Sequence, residues 1–183
     1  CSSDLTRVYV VMTTKGRGWA PADKHPYRAH YLFPYDPETG EVKENPSGQT
    51  YPDLIAHELM RYMEIDEKIV CITPSTRYAT GLEPVFAKFP ERCFDPGMEE
   101  QHAMTMAAGM ASQGLLPVIA YQSTFAQRAF DQLFHDVAFQ KAKVLILLYR
   151  SGLAGYDSPT HHGIYDLAWL GAIPNLQVFV PAC

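Results

Sequence analysis

Residues 117–150 read PVIAYQSTFAQRAFDQLFHDVAFQKAKVLILLYR, and this stretch decides the fold. The apolar runs at residues 117–121 and 144–149 have the length and composition of buried β-strands. Between them, residues 124–140 carry their apolar side chains at helical spacing, with Ala126, Phe130 and Leu133 on one stripe. A strand, a helix and a second strand in this order predict two parallel strands joined by a crossover helix.

The same alternation continues on both sides of this stretch. A helix is expected to start at Thr50, which forms a capping-box-like pair with Asp53. The pattern further predicts strands at residues 5–12, 68–73, 92–95 and 176–180, and helices at residues 81–89, 98–111 and 164–170. This alternation predicts an α/β fold in which helices cover both faces of a parallel sheet.

Residues 19–49 interrupt the alternation. They are rich in proline, aromatic and charged residues, and carry turn signals at Asp36-Pro37 and Thr39-Gly40. We interpret them as a long ordered linker between residues 1–18 and the main α/β domain at residues 50–183.

The composition of the chain argues against several kinds of binding partner and site. The chain has 15 Lys and Arg residues against 20 Asp and Glu residues, a net charge of −5, and its cations are scattered. This argues against nucleic acid or an anionic membrane as a partner, and no apolar run approaches the ~20 residues of a membrane span. The four cysteines show no Cys-x-x-Cys spacing, so free thiols are expected rather than a metal cage. The N-terminus does not look like a signal peptide, so a cytosolic type of protein is expected.

Glu100 is the residue whose position is hardest to explain structurally. In a helix over residues 98–111, Ala103, Met104 and Ala107 share its face, which turns the carboxylate toward the interior. Burying a carboxylate costs several kcal/mol, roughly, unless a partner compensates it. The partner is either a nearby arginine, which is the common structural case, or a ligand with which the carboxylate shares a proton in a dry pocket.

Other chemically capable residues follow the predicted strands. Gln122 follows one strand and Arg150 another, and Phe125 and Arg128 occupy the first turn of the crossover helix. In a parallel sheet the carboxyl ends of the strands meet at one edge, where ligands bind. Phe125 suits stacking on a planar ring or ordinary packing. Arg128 suits a ligand contact or a helix-internal pair with Asp131.

The loop at residues 155–163 carries adjacent histidines, His161 and His162. Consecutive side chains point in different directions and no third ligand has a useful spacing, so hydrogen bonding or proton transfer to a substrate is favoured over a metal. Arg150 suits a phosphate or carboxylate. Lys15, in the glycine-spaced Lys15-Gly16-Arg17-Gly18, suits a phosphate or is part of a solvated turn.

Taken together, these strings resemble the thiamine-diphosphate-dependent transketolase-like family, and within it the 1-deoxy-D-xylulose-5-phosphate synthases. The resemblance runs in order over nearly the whole chain. The matching segments are TKGRGWAPA at residues 14–22, ITPS at 72–75, FDPGMEEQHA at 94–103, STFAQRAFDQLFHDVA at 123–138 and SPTHHG at 158–163.

The resemblance implies roles for individual residues. Glu100 matches the glutamate that hydrogen-bonds the cofactor's aminopyrimidine and so activates the thiazolium carbon as an ylide. Phe125 matches the ring that stacks on the pyrimidine. The other cofactor-binding positions implied are Arg128, Lys15 and Gln122, the last standing where the family commonly has tyrosine. Substrate contacts are implied for Arg150, Asp157 and His161, and catalytic proton transfer for His161 and His30.

The resemblance also implies a reaction and missing parts. The expected reaction condenses pyruvate, with decarboxylation, and D-glyceraldehyde 3-phosphate into 1-deoxy-D-xylulose 5-phosphate, which feeds isoprenoid and thiamine biosynthesis. The chain lacks the Gly-Asp-Gly motif that holds diphosphate and magnesium in this family. Residues 1–18 are therefore expected to be the tail of a preceding diphosphate-binding domain, and residues 50–183 a pyrimidine-binding domain truncated at its C-terminal end.

Three further expectations follow from the resemblance. The full-length chain should form a homodimer, the fragment alone should be inactive, and the location should be a bacterial cytoplasm or a plastid. The alternatives are another transketolase-like activity, either ketol transfer or a 2-oxoacid dehydrogenase β subunit, and a non-catalytic partner subunit.

Overall fold

Four strands form one parallel sheet. They are β1 Ile69–Ile72, β2 Cys93–Phe94, β3 Leu116–Gln122 and β4 Leu145–Tyr149, in the order β2-β1-β3-β4. The computed structural model describes residues 9–24, 35–41, 50–154 and 159–181. The chain divides into two units, residues 1–48 and residues 49–183, and the sheet lies in the second.

Seven α-helical segments are present in the described residues. They are α1 Ala20–Lys24, α2 Tyr51–Ile65, α3 Glu83–Lys88, α4 Glu100–Ser112, α5 Ser123–Ala126, α6 Phe130–Gln132 and α7 Asp166–Leu170. The capping box at the start of α2 is confirmed, because Thr50 N–H donates to Asp53 Oδ2 at 2.9 Å and Asp53 N–H donates to Thr50 Oγ1 at 3.4 Å. None of the described helices is both long and apolar enough to cross a membrane.

Helices cover both faces of the sheet, as the sequence predicted. Along β3 the side chains alternate, so Val118 and Ala120 pack in the core that includes residues of α2 and α3. Ile119 and Tyr121 face the opposite core, which includes residues of α4, of the helix after β3 and of α7. The fold class is therefore confirmed as α/β with a covered parallel sheet.

The predicted long helix at residues 124–140 is helical but irregular. It starts as α5, tightens to a 3₁₀ turn at Gln127–Ala129, continues as α6 and widens to a π-helix at Leu133–Ala138. Each change of helix type alters the angle between successive residues. Phe130, which regular spacing placed in the core stripe, is 41% exposed, whereas Ala126, Ala129 and Leu133 are buried.

Two predicted strands are wrong where the structure describes them. Residues 176–180 form no strand, and Phe179 is 82% exposed. Residues 9–12 of the predicted first strand are also irregular and exposed, and residues 5–8 lie outside the described part. Apolar content alone does not make a strand. A strand needs a hydrogen-bonding neighbour, and neither segment pairs with a described strand.

The first unit has its own local order. Trp19 packs its ring 5.2 Å from that of Tyr35 and donates its indole N–H to the Pro37 carbonyl at 3.1 Å. The three-part division of the chain that the sequence suggested remains a prediction.

Candidate functional site

Glu100 is buried at the first turn of α4. Its side chain is only 5% exposed, and Ala103, Met104 and Ala107 are buried on the same face of the helix, as the spacing predicted. The buried hydroxyl of Tyr121, on β3, donates to the Glu100 carbonyl oxygen at 2.9 Å. Burial, and secondarily the nearby Glu100 charge, raises the pKa of Tyr121. The tyrosine therefore stays protonated and ties the start of α4 to the sheet.

Arg128 is the protein partner of the Glu100 carboxylate. One of its guanidinium nitrogens, Nη1, lies 3.2 Å from Glu100 Oε1 and 3.4 Å from Oε2, while the arginine side chain is 58% exposed. The alternative helix-internal pair with Asp131 does not form, because Asp131 Oδ1 lies 3.0 Å from His135 Nδ1 instead. A buried carboxylate is thus compensated by a cation that reaches in from solvent.

Phe125 and His161 extend this pair into a cluster. The guanidinium carbon of Arg128 lies 5.6 Å from the centre of the Phe125 ring. The ring of His161 meets that of Phe125 edge to face, at 5.3 Å between centroids. We call Glu100, Arg128, Phe125 and His161 the Glu100 cluster. Four predicted site residues are therefore in one place, drawn from α4, the helix after β3 and the 159–161 turn.

The loop that carries His161 is fastened to the ends of β3 and β4. Thr124 Oγ1 donates to the Thr160 carbonyl at 3.1 Å, and Gly152 and Gly163 exchange two backbone hydrogen bonds of 2.9 Å. A Cβ on Gly163 would lie 2.0 Å from Ser123 Oγ, so only glycine allows this approach. These contacts hold the loop against Phe125.

Ser123 and Asp166 form a second buried pair that the sequence predictions missed. Ser123 Oγ donates to Asp166 Oδ2 at 2.6 Å, and both residues are buried. A signal was available, because Asp166 is the only charged residue between Gly163 and Val180. Tyr121 was missed as well. Its apolar strand context gave no indication that its hydroxyl reaches α4.

Gln122 and Arg150 lie at the same edge of the sheet. Gln122 ends β3, is buried, and its Oε1 has no hydrogen-bond partner among the described residues. It is in register with Tyr149 of β4, and Arg150 follows directly in the left-handed backbone region, at φ 61°. A non-glycine residue in that region at the end of a strand is strained, which is common at functional sites.

Of the other predicted residues, the structure describes His162 and Lys15. His162 Nδ1 accepts from the Ala154 N–H at 2.9 Å, so this histidine braces the loop. Lys15 lies in an exposed turn of the first unit, and His30 and Asp157 lie outside the described residues. Within the described ranges, no group of three or more His, Cys, Asp or Glu side chains is placed to bind a metal.

The fold and this buried carboxylate at the strand ends define the class of protein. The family model for the transketolase pyrimidine-binding domain matches residues 47–183, and the chain belongs to that family. A solved structure described as "split gene transketolase, inactive beta4 tetramer" is similar, with a TM-score of 0.59 and 34% identity. It matches over 69% of this chain and 41% of that one.

Particular relatives narrow the resemblance further. The chain is 47% identical over 171 residues to the 1-deoxy-D-xylulose-5-phosphate synthase of Aquifex aeolicus, and 45% identical over 172 residues to that of Magnetococcus marinus. The matches cover 93% and 94% of this chain but only 27% and 28% of those relatives. The resemblance to this synthase family is confirmed, and the chain spans about a quarter of the length of these relatives.

Proposed function

We propose that this chain provides the aminopyrimidine-binding half of a thiamine diphosphate site in a 1-deoxy-D-xylulose-5-phosphate synthase. The enzyme would condense pyruvate, with loss of carbon dioxide, and D-glyceraldehyde 3-phosphate. One observation carries the proposal: the carboxylate of Glu100 is sequestered at the strand ends against Arg128, whose guanidinium carbon lies 5.6 Å from the centre of the half-buried Phe125 ring. The similarity to the synthases supports the choice of reaction.

The residues present fit the cofactor's aminopyrimidine. A buried carboxylate suits a ring nitrogen with which it shares a proton, and an aromatic ring suits stacking. The Gln122 Oε1 atom, which lacks a partner in the described structure, suits an amino group. When bound, thiamine diphosphate supplies the nucleophilic carbon and the electron sink for decarboxylation.

Each residue of the Glu100 cluster then has a task. Glu100 holds a proton at a ring nitrogen, and burial keeps water from competing for that hydrogen bond. Arg128 keeps the carboxylate compensated while no ligand is present. Phe125 orients the ring plane, and His161, braced against it, contacts the substrate and transfers protons.

The remaining assignments of the proposal are made by resemblance. Arg150 and Asp157 would contact the sugar phosphate, and Lys15 would contact the cofactor. His30 would take part in proton transfer. Magnesium and the diphosphate would be held by residues outside this chain, since the Gly-Asp-Gly motif is absent from it. Residues 1–18 would then be the tail of the diphosphate-binding domain.

By itself the chain should be inactive, which is consistent with the word "inactive" in the description of the similar split transketolase. The complete protein should be a homodimer of a bacterial cytoplasm or a plastid.

A chimera tests the proposal. The 171 residues of the Aquifex aeolicus synthase that align with this chain are replaced by the corresponding residues of this chain. We expect the chimera to form 1-deoxy-D-xylulose 5-phosphate from pyruvate and glyceraldehyde 3-phosphate. Glu100→Gln should lower kcat by about 10²–10⁴-fold, the range for a lost proton-transfer partner.

The matched control is Glu58→Gln, which also removes a carboxylate paired with an arginine but lies on the exposed face of α2. It should leave the rate unchanged. A chimera that binds thiamine diphosphate yet transfers a ketol group instead would identify the alternative transketolase activity. Full activity in Glu100→Ala would support the non-catalytic partner subunit and refute the proposal.

A further inference from the structure

Cys71 and Cys93 lie side by side in the sheet, away from the Glu100 cluster. They are partners in register on the parallel strands β1 and β2, so their side chains lie on the same face. Both are buried free thiols. Neighbouring strands are about 4.8 Å apart, which lies inside the ~4.4–6.8 Å range of Cα separations that disulfides span.

The surrounding backbone holds this pairing in place. Thr73 N–H donates to the Phe94 carbonyl at 3.1 Å, and Ser75 N–H donates to Asp95 Oδ1 at 2.8 Å. The strands are therefore joined directly after the two cysteines. Bond formation between the sulfur atoms needs side-chain rotation more than movement of the backbone.

The two thiols differ in acidity and access. The neighbouring Cys71 thiol lowers the pKa of Cys93, burial opposes this and the charge of Arg92 adds to it, whereas Cys93 and burial raise the pKa of Cys71. In the reduced protein the Cys93 thiol donates to the Val85 carbonyl oxygen at 3.6 Å. Cys93 is also 9% exposed and lies on the two-residue strand at the edge of the sheet. Local opening of a short edge strand exposes Cys93 first.

We propose that Cys71 and Cys93 are a redox-active dithiol that closes to a cross-strand disulfide when a hydroperoxide reaches the edge strand. The Cys93 thiolate attacks one peroxide oxygen, the O–O bond breaks, and the hydroxide released takes a proton to become water. The Cys71 sulfur then attacks the sulfur of the Cys93 sulfenic acid. The S–S bond forms, the S–O bond breaks, and the oxygen leaves as a second water with the Cys71 proton. The two thiols are oxidised by two electrons and one hydrogen peroxide is reduced.

The experiment uses the full 183-residue chain with Cys1→Ser and Cys183→Ser, so that only the proposed pair remains. The protein is treated with hydrogen peroxide under native conditions, free thiols are blocked with N-ethylmaleimide, and tryptic peptides are analysed by mass spectrometry. We expect both thiols to be lost together and peptide 69–77 to be linked to peptide 93–128.

Two single variants assign the steps. In Cys71→Ala, Cys93 should be oxidised only as far as a sulfenic acid that dimedone traps, and in Cys93→Ala the Cys71 thiol should stay reduced. Circular dichroism verifies that each variant is folded. The measurement on the parent protein, which keeps both Cys71 and Cys93, does not depend on the single variants. If both thiols of the parent survive native treatment but are oxidised in urea, the proposal is wrong. Equally fast oxidation of Cys71 in Cys93→Ala would overturn the order of the steps.

Discussion

The pair formed by Glu100 and Arg128 is asymmetric, and removing its two members should have unequal effects on stability. Glu100 is 5% exposed and Arg128 is 58% exposed. Arg128→Ala leaves a buried carboxylate without its cation. Glu100→Gln removes the buried charge and leaves an arginine that water can solvate, with an amide oxygen still able to accept its N–H.

The geometry sets the size of the difference. At 3.2 Å and an effective dielectric constant of about 20, two unit charges attract by roughly 5 kcal/mol. Solvation of the exposed arginine and the entropy of its side chain offset most of this attraction. The cost of leaving a buried acceptor unpaired is about 1–3 kcal/mol. We therefore expect Arg128→Ala to lower the free energy of unfolding by about 2 kcal/mol, and Glu100→Gln by less than about 1 kcal/mol.

Urea unfolding followed by circular dichroism measures both variants and the double variant, which should be no less stable than Arg128→Ala alone. Arg61→Ala is the matched control, because Arg61 pairs with Glu58 at 2.7 Å where both side chains are half exposed. Its effect should be clearly smaller than that of Arg128→Ala. If Glu100→Gln destabilises the protein as much as Arg128→Ala does, the carboxylate is not the desolvated partner and the reasoning fails.

Three further predictions concern the supports of the Glu100 cluster. Gly163→Ala should destabilise by about 1–3 kcal/mol, since its methyl group would overlap the Ser123 side chain, and thermal unfolding measures the shift; an unchanged Tm would contradict the close approach. Ser123→Ala removes the buried donor to Asp166 and should cost about 1–3 kcal/mol in urea unfolding, whereas Ser123→Thr, which keeps the hydroxyl, should recover part of that loss. Tyr121→Phe should cost about 1 kcal/mol through loss of the hydrogen bond to Glu100. Because the folded pKa of Tyr121 is raised, its contribution is complete below the ordinary pKa of about 10 and is lost as the pH rises beyond it. An ultraviolet titration counts the tyrosines that ionise only well above the ordinary pKa. Tyr121→Phe should have one such tyrosine fewer than the parent protein.

The local sequence pattern was sufficient to predict the helices and strands that pack against a neighbouring element of this chain. The β3 strand follows from the length and composition of its apolar run, and the α4 helix and the burial of Glu100 follow from side-chain spacing. The same rule failed at residues 176–180, whose apolar side chains match a strand but have no described strand beside them. Spacing reports which face is apolar, and only tertiary structure decides whether that face is covered.

The partners within the site depend on topology rather than spacing. Arg128 reaches Glu100 across 28 positions and Ser123 reaches Asp166 across 43, and no periodic pattern links residues so far apart. The sequence did show which polar groups would be energetically costly to bury without a partner. A carboxylate on an apolar helix face and a lone aspartate in an uncharged stretch both require a compensating donor near a strand end. In a parallel sheet those ends converge, so the search for each donor narrows to the few polar residues that follow the strands. Arg128 and Ser123 were both among those residues. Pairing each buried carboxylate with the polar residues at that edge of the sheet would therefore have included both observed contacts, Arg128 with Glu100 and Ser123 with Asp166.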